Sequence, residues 1–415
     1  MNKFKQRHWL VASLLLAFIS VVTAQNTDPD AYRETLKASS IERETEAFTE
    51  PFRGITTDGR VVPGLFPIHS TGVSTGPVVE AANAFLSRLE PAQRDIATFP
   101  ALGIEWRKWT NQANYFRDGL WFEKMTEAQR EAAFAMLGAS LSAKGLKLTR
   151  DAMHLNETLG ELNNNDFAKY GEWKYWISIM GEPSATEPWG WQLDGHHLII
   201  NYFVLGDQVV MTPTFWGSEP TVAEAGKFKG TRVLEEETVA GLKLIQSLTP
   251  EQQKQAIMNP QKDGVNILAQ GFGDNEIIPY AGAPVSRFTA AQKDLLRKLI
   301  GLYVGNMRDD QAKVKMDEVE QFLDSTYFAW IGATSDDAVF YYRIHSPVIM
   351  IEFDHQRPQG LVNLYNHRNA YREHVHAIVR TPNGNDYGTD LLKQHLATHP
   401  HGEVGADGKP HWHER

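Results

Sequence analysis

The chain has 415 residues, of which 42% are apolar, 22% charged and 11% aromatic, and its 51 acids outweigh 41 bases. These proportions exclude a disordered, collagen-like or multi-span membrane chain, and the acidic balance argues against a general binder of nucleic acid or anionic membranes. Cysteine is absent, so no disulfide, thiolate nucleophile, cysteine zinc site or iron–sulfur cluster can form, and any nucleophile or metal ligand must come from His, Asp, Glu, Ser, Lys or Tyr.

In chain order, Lys3, Lys5 and Arg7 precede an apolar run from Trp9 to Val22 that ends in Val22-Thr23-Ala24. This reads as a signal peptide over residues 1–24, cleaved before Gln25, because a run of about 14 residues is short of the ~20 needed for a span. The expectation is a secreted or periplasmic protein with no membrane span after cleavage, carrying 38 bases against 51 acids. Residues 25–75 are polar, with scattered Gly and Pro, and read as an N-terminal extension.

From residue 76 the chain matches itself. Ala84–Gln93 recurs at Lys243–Gln252, Met125–Glu131 at Phe288–Asp294, Trp191–Tyr202 at Tyr342–Phe353 and Val209–Pro213 at Ile378–Pro382, in the same order. Thr126 with Gln129, and Thr289 with Gln292, have the spacing of helix capping boxes. An internal duplication follows, with repeats over 76–232 and 233–396 and a His-rich tail over 397–415.

In the first repeat, helices are expected over 78–97, 126–144 and 151–162, then strands over 173–180, 189–194, 196–204 and 208–215. In the second, helices over 235–258, 289–304 and 309–323 precede strands over 327–332, 338–345, 347–354 and 373–381. Helices followed by strands indicate an α+β fold, each half a helical segment and a small antiparallel sheet. The stretch between Asp354 and His374 is long for a hairpin connection and reads as a binding or active-site loop.

Ten of the 15 histidines fall between His345 and His413. Alternation along strands puts His374 and His376 on one face, and Glu352 and Asp354 on one face of the strand before. Together they resemble a site for one divalent ion, with Zn, Fe, Mn and Cu all compatible with imidazole and carboxylate ligands. Alignment of the halves puts His197 on the equivalent face and His196 on the apolar face with Leu198 and Ile200. One of the two is a candidate ligand, and a buried histidine with a carbonyl partner explains them as well. Arg380 could hold a substrate carboxylate, and Asn385 or Asp386 could orient substrate or a ligand histidine, though the same loop is also simply rich in turn formers.

Trp189-Gly-Trp-Gln-Leu-Asp-Gly-His-His-Leu198, Thr212-Pro213, Gly217-Ser-Glu-Pro220 and His374-Val-His through Asn385-Asp-Tyr-Gly388 resemble the domain of unknown function 3500 family. The resemblance implies an exported protein, draws attention to His196, His197, His374, His376, Asn385 and Asp386, and implies no particular reaction. The residues themselves favour a metal-dependent hydrolase acting on a small-molecule or secreted polymeric substrate, with the ion on His374, His376 and Glu352 or Asp354. The unused carboxylate would serve as general base, and Arg380 as a substrate contact. A metal oxidase and a non-catalytic protein with an aromatic-lined ligand site are the alternatives; oligomeric state is left open.

Overall fold

The computed structural model describes residues 29–365 and 368–399. The signal-like segment, His367 and the tail from residue 400 lie outside them. Helix α1 (Pro29–Ala47) falls in the expected extension. It has no strong apolar period because polar contacts dock it: Ser40 Oγ accepts from Phe116 N–H at 3.0 Å and Glu44 from the Tyr115 hydroxyl at 2.6 Å.

Helix boundaries follow local chemistry. The expected helix over 78–97 is two, α2 (Gly76–Ser87) and α3 (Pro91–Ala97), because Pro91 cannot continue a helix but suits the first position of a new one. Thr126 and Gln129 cap α4 (Glu127–Ser140) reciprocally. Helix α5 (Ala143–Leu162) starts earlier than expected, because Ser142 accepts from Gly145 N–H. Two-residue strands β1 (Thr98–Phe99) and β2 (Leu120–Trp121) are too short to leave a sequence period. Strands β3 (Tyr175–Met180), β4 (Trp189–Gly195) and β5 (Leu198–Leu205) follow. The strand expected over 208–215 is interrupted at Pro213, which cannot donate to a ladder, and becomes β6 (Gln208–Val210) and β7 (Thr214–Ser218).

The second half is similar. A capping box at Thr249 splits the helix expected over 235–258 into α6 (Glu235–Ser247) and α7 (Pro250–Ala256). Then come β8 (Ile257–Asn259), β9 (Ala283–Pro284), α8 (Ala290–Val304), α9 (Asp309–Gln321), β10 (Tyr327–Gly332), β11 (Phe340–His345), β12 (Met350–His355), β13 (Val375–Arg380) and α10 (Thr389–Thr398).

The α+β class holds, but the expected pair of small antiparallel sheets does not. All strands belong to one mixed 13-stranded sheet with the main order β1-β3-β4-β5-β7-β13-β12-β11-β10-β8. The join is the antiparallel pairing of β7 with β13, Ser218 opposite Val375 and Phe215 opposite Ile378. The outer pairings β1–β3 and β8–β10 are parallel. Pairings recur at the sequence's own intervals: Thr98 opposite Ile179 and Ile257 opposite Trp330, Leu120 opposite Ile177 and Ala283 opposite Phe328, Gln192 opposite Asn201 and Arg343 opposite Glu352.

Every residue of β4, β5, β7, β11, β12 and β13 is buried, so both sheet faces are covered. One face packs on helices through a large cluster that includes Trp191, Tyr202, Leu299, Trp330 and Phe353. The other carries a smaller cluster with Trp109, Phe203, Phe215, Ile378 and Tyr387. It is this second face that presents the polar residues.

Candidate metal centre

Three histidines converge across the join. His374 immediately precedes β13 and His376 lies within it, so both rings leave the same face. His197 belongs to neither flanking strand. Gly195 pairs with Leu198, which leaves His196 and His197 as a two-residue turn, and His197 has φ +61°. Strand alternation therefore does not govern these two positions, and the faces inferred for them by alternation do not apply.

The strands β5, β7 and β13 lie side by side, and Gly217 of β7 is at the centre. Its N–H donates to His197 O at 2.8 Å, and it stands directly opposite His376. A Cβ at Gly217 would meet Val375 O at 2.6 Å and His376 Cδ2 at 3.2 Å, so the missing side chain is what leaves room for the rings.

The three Nε2 atoms form a nearly equilateral triangle: His374 to His376 3.0 Å, His376 to His197 3.1 Å and His374 to His197 3.2 Å. Such a triangle would suit a single ion held by the three nitrogens at ~2.0–2.1 Å from each. All three side chains are buried. Burial, the largest cause, holds the His374 imidazole below its ordinary pKa and the His197 and His376 imidazoles well below theirs, and neighbouring imidazoles push His197 and His376 further down. Neutral rings are the form that ligates metal. The His374 tautomer is set from behind: Nδ1 lies 2.6 Å from Arg357 O, so it donates there and Nε2 offers its lone pair. The three Nε2 atoms thus face one another across 3.0–3.2 Å, close enough together to hold one cation.

The other sequence candidates do not join this triangle. Glu352 is fully buried and accepts from Leu268 N–H at 3.0 Å, Ala269 N–H at 2.9 Å and the Tyr341 hydroxyl at 2.6 Å. Asp354 sits opposite His376 in the ladder, but its carboxylate turns to Asn266 N–H at 2.9 Å, to Lys262 Nζ at 3.1 Å and to the Gln356 amide. Both carboxylates anchor the 262–270 segment. His196 stacks on the His197 ring at 3.9 Å and bonds Asn156 Oδ1 through Nδ1 at 2.8 Å, so it braces the triangle from behind.

Arg380 and Asp386 lie in a buried network further along β13. Arg380 reaches Asp274 at 2.8 Å, Asp386 at 3.2 Å and the carbonyls of Ala269 and Gln270, which engages each of its nitrogens. Asn385 Oδ1 accepts from Leu391 N–H at 3.4 Å, tying the loop to α10.

Sequence reasoning missed two residues. Glu219, 2% exposed, has its carboxylate 3.7 Å from His374 Nδ1. It also accepts from Gln359 N–H at 3.0 Å, Gly360 N–H at 2.6 Å and the Tyr371 hydroxyl at 2.6 Å, pinning the 355–371 loop beside the histidines. An acid two residues beyond a strand glycine was the available signal. Asn111, whose Nδ2 is 3.5 Å from His376 Nε2, lies in a coil with no motif.

A family model described as "Protein of unknown function (DUF3500)" matches residues 71–389. The chain belongs to the DUF3500 family. No curated protein and no solved structure matches it. Within this DUF3500 protein, His197, His374 and His376 are the group of potential ligands, among the described residues, that lie close enough together to hold an ion. No helix among those residues is long and apolar enough to cross a membrane.

Proposed function

We propose that this DUF3500 protein is a secreted or periplasmic metalloenzyme with one divalent first-row ion on the Nε2 atoms of His197, His374 and His376. The observation that carries the reading is the triangle itself: three buried, neutral imidazoles with edges of 3.0–3.2 Å. An all-nitrogen set disfavours Ca and Mg and suits Zn, Cu or Fe. Three protein ligands are the number found in catalytic rather than structural zinc sites, and an ion held there would supply the Lewis acidity that hydrolysis uses, which supports it as the reaction class. Asp354, cross-strand neighbour of His376, is paired with buried Lys262 at 3.1 Å, and the Glu219 carboxylate lies 3.7 Å from His374 Nδ1. Burial raises the Asp354 carboxyl to about 6 and lowers Lys262. Because the histidines are so enclosed, a small molecule is the substrate class that fits.

The test is metal analysis of untagged full chain carrying His401→Ala, His411→Ala and His413→Ala, followed by turnover of chromogenic ester, amide and phosphoester substrates. One ion per chain, with chelator-sensitive turnover restored by zinc, is the expected result. A metal-free, chelator-insensitive protein would support a non-catalytic ligand carrier instead, and redox turnover with Cu or Fe a metal oxidase.

We also infer that the halves arose by duplication, supported by the strand pairings that recur at the intervals of the sequence matches.

A further inference from the structure

Three neutral imidazoles leave a divalent ion with its whole charge in a buried place. Each nearby carboxylate is already engaged: Glu219 by the 359–361 backbone, Glu352 by Leu268 and Ala269, Asp354 by Lys262. The charge is left for a ligand from outside, and an anionic oxygen meets it best.

Asn111 stands where such a ligand would need a partner. It is 8% exposed, and its Nδ2 lies 3.5 Å from His376 Nε2. Its backbone is fixed on both sides: its carbonyl accepts from His197 N–H at 3.3 Å, and Arg117 donates to Gln112 O at 2.8 Å and to Thr110 O. Arg117 is itself paired at 3.0 Å with Asp194, on the strand that leads into the His196–His197 turn. The Asn111 side chain and the histidine turn are thus parts of one rigid assembly.

Once an ion takes the His376 lone pair, the Asn111 N–H has no acceptor on the imidazole. Asn111 Nδ2, 3.5 Å from His376 Nε2, is a side-chain donor beside the nitrogen triangle, where a further ligand of the ion would need one. We propose that Asn111 donates a hydrogen bond to an oxyanion bound to the ion, which makes the site selective for small carboxylates. This rests on the metal reading above.

The experiment loads cobalt(II) into full chain carrying His401→Ala, His411→Ala and His413→Ala, and follows the visible ligand-field spectrum while acetate is added. The expected result is a saturable acetate-dependent spectrum, with acetate affinity about tenfold weaker in Asn111→Ala, the loss typical of one hydrogen bond to a charged group. Asn111→Ala should keep one cobalt per chain and the acetate-free spectrum, which a merely structural role would disturb. One cobalt per chain with no acetate response, or with equal affinity in wild type and Asn111→Ala, overturns this inference and leaves the metal site standing. Wild type that takes up no cobalt overturns both.

Discussion

Replacing His197 separates the ligand set of the structure from the one suggested by strand alternation. Four-ligand structural zinc sites bind with about 10–16 kcal/mol, so one imidazole accounts for about 3 kcal/mol, or a weakening of the order of 100-fold when it is lost. His197→Ala leaves His374 and His376, and neither acid can replace the ligand: Glu352 is held by Leu268 N–H at 3.0 Å and Ala269 N–H at 2.9 Å, and Asp354 by Asn266 N–H at 2.9 Å. At a free zinc concentration of ~100 times the wild-type Kd, binding stabilises wild type by about 2.7 kcal/mol. At the same concentration the variant, with Kd near the zinc concentration, gains only about 0.4 kcal/mol. Competition with a chromogenic chelator gives the affinity, and urea unfolding with and without zinc gives the stabilisation. Glu352→Gln and Asp354→Asn should retain affinity within a few fold. Retention of tight binding by His197→Ala, with its loss in Asp354→Asn, would refute the three-histidine centre and restore the His/carboxylate one.

Gly217→Ala should lower zinc affinity more than tenfold, measured by the same competition, because the new Cβ would stand 3.2 Å from His376 Cδ2 and 2.6 Å from Val375 O. Unchanged affinity would mean that the rings do not depend on that gap. His196→Ala should keep the metal but lower unfolding free energy by about 1–3 kcal/mol, since Asn156 Oδ1 loses a buried partner at 2.8 Å. For Asp354, whose carboxyl burial raises to about 6, the folded state binds the proton more tightly than the unfolded one. Its contribution is therefore fully present below the unfolded value near 4 and lost as pH rises through about 6. Urea midpoints should fall between about pH 4 and 6, and fall less in Asp354→Asn; parallel curves would contradict the raised value.

Helix starts were legible wherever a cap is written locally, as at Thr126 and Thr289, and strands were legible where length and apolar content suffice, as in β5 and β12. The His374–His376 pair was visible through its two-residue spacing. The carboxylates were misplaced in role, because alternation gives the face of a side chain and not its partner: Asp354 does stand opposite His376, yet the 262–267 backbone and Lys262 take its oxygens. Arg380 reads as a substrate contact only until Asp274 is known, and that residue comes from a coil 106 positions away. Asn111 has no local signature and Glu219 only its place two residues beyond a strand glycine; their importance comes from which segments the sheet brings near.

The site also explains why two separate sheets could not have been the answer. His197 comes from the first half, His374 and His376 from the second, and they meet only because β7 pairs with β13 around Gly217. If the halves descend from one ancestor, the position matching His197 at the sheet interval of 151 residues is Val348, fully buried in the apolar cluster. The matching turn of the second half thus supplies packing where the first supplies a histidine of the proposed site. Neither half alone holds three nitrogens, so the proposed metal site depends on the long-range β7–β13 register, and a slip of one residue there would turn His376 to the opposite face. This is the kind of contact that residue patterns within one element cannot announce, because its two strands are each consistent with many partners.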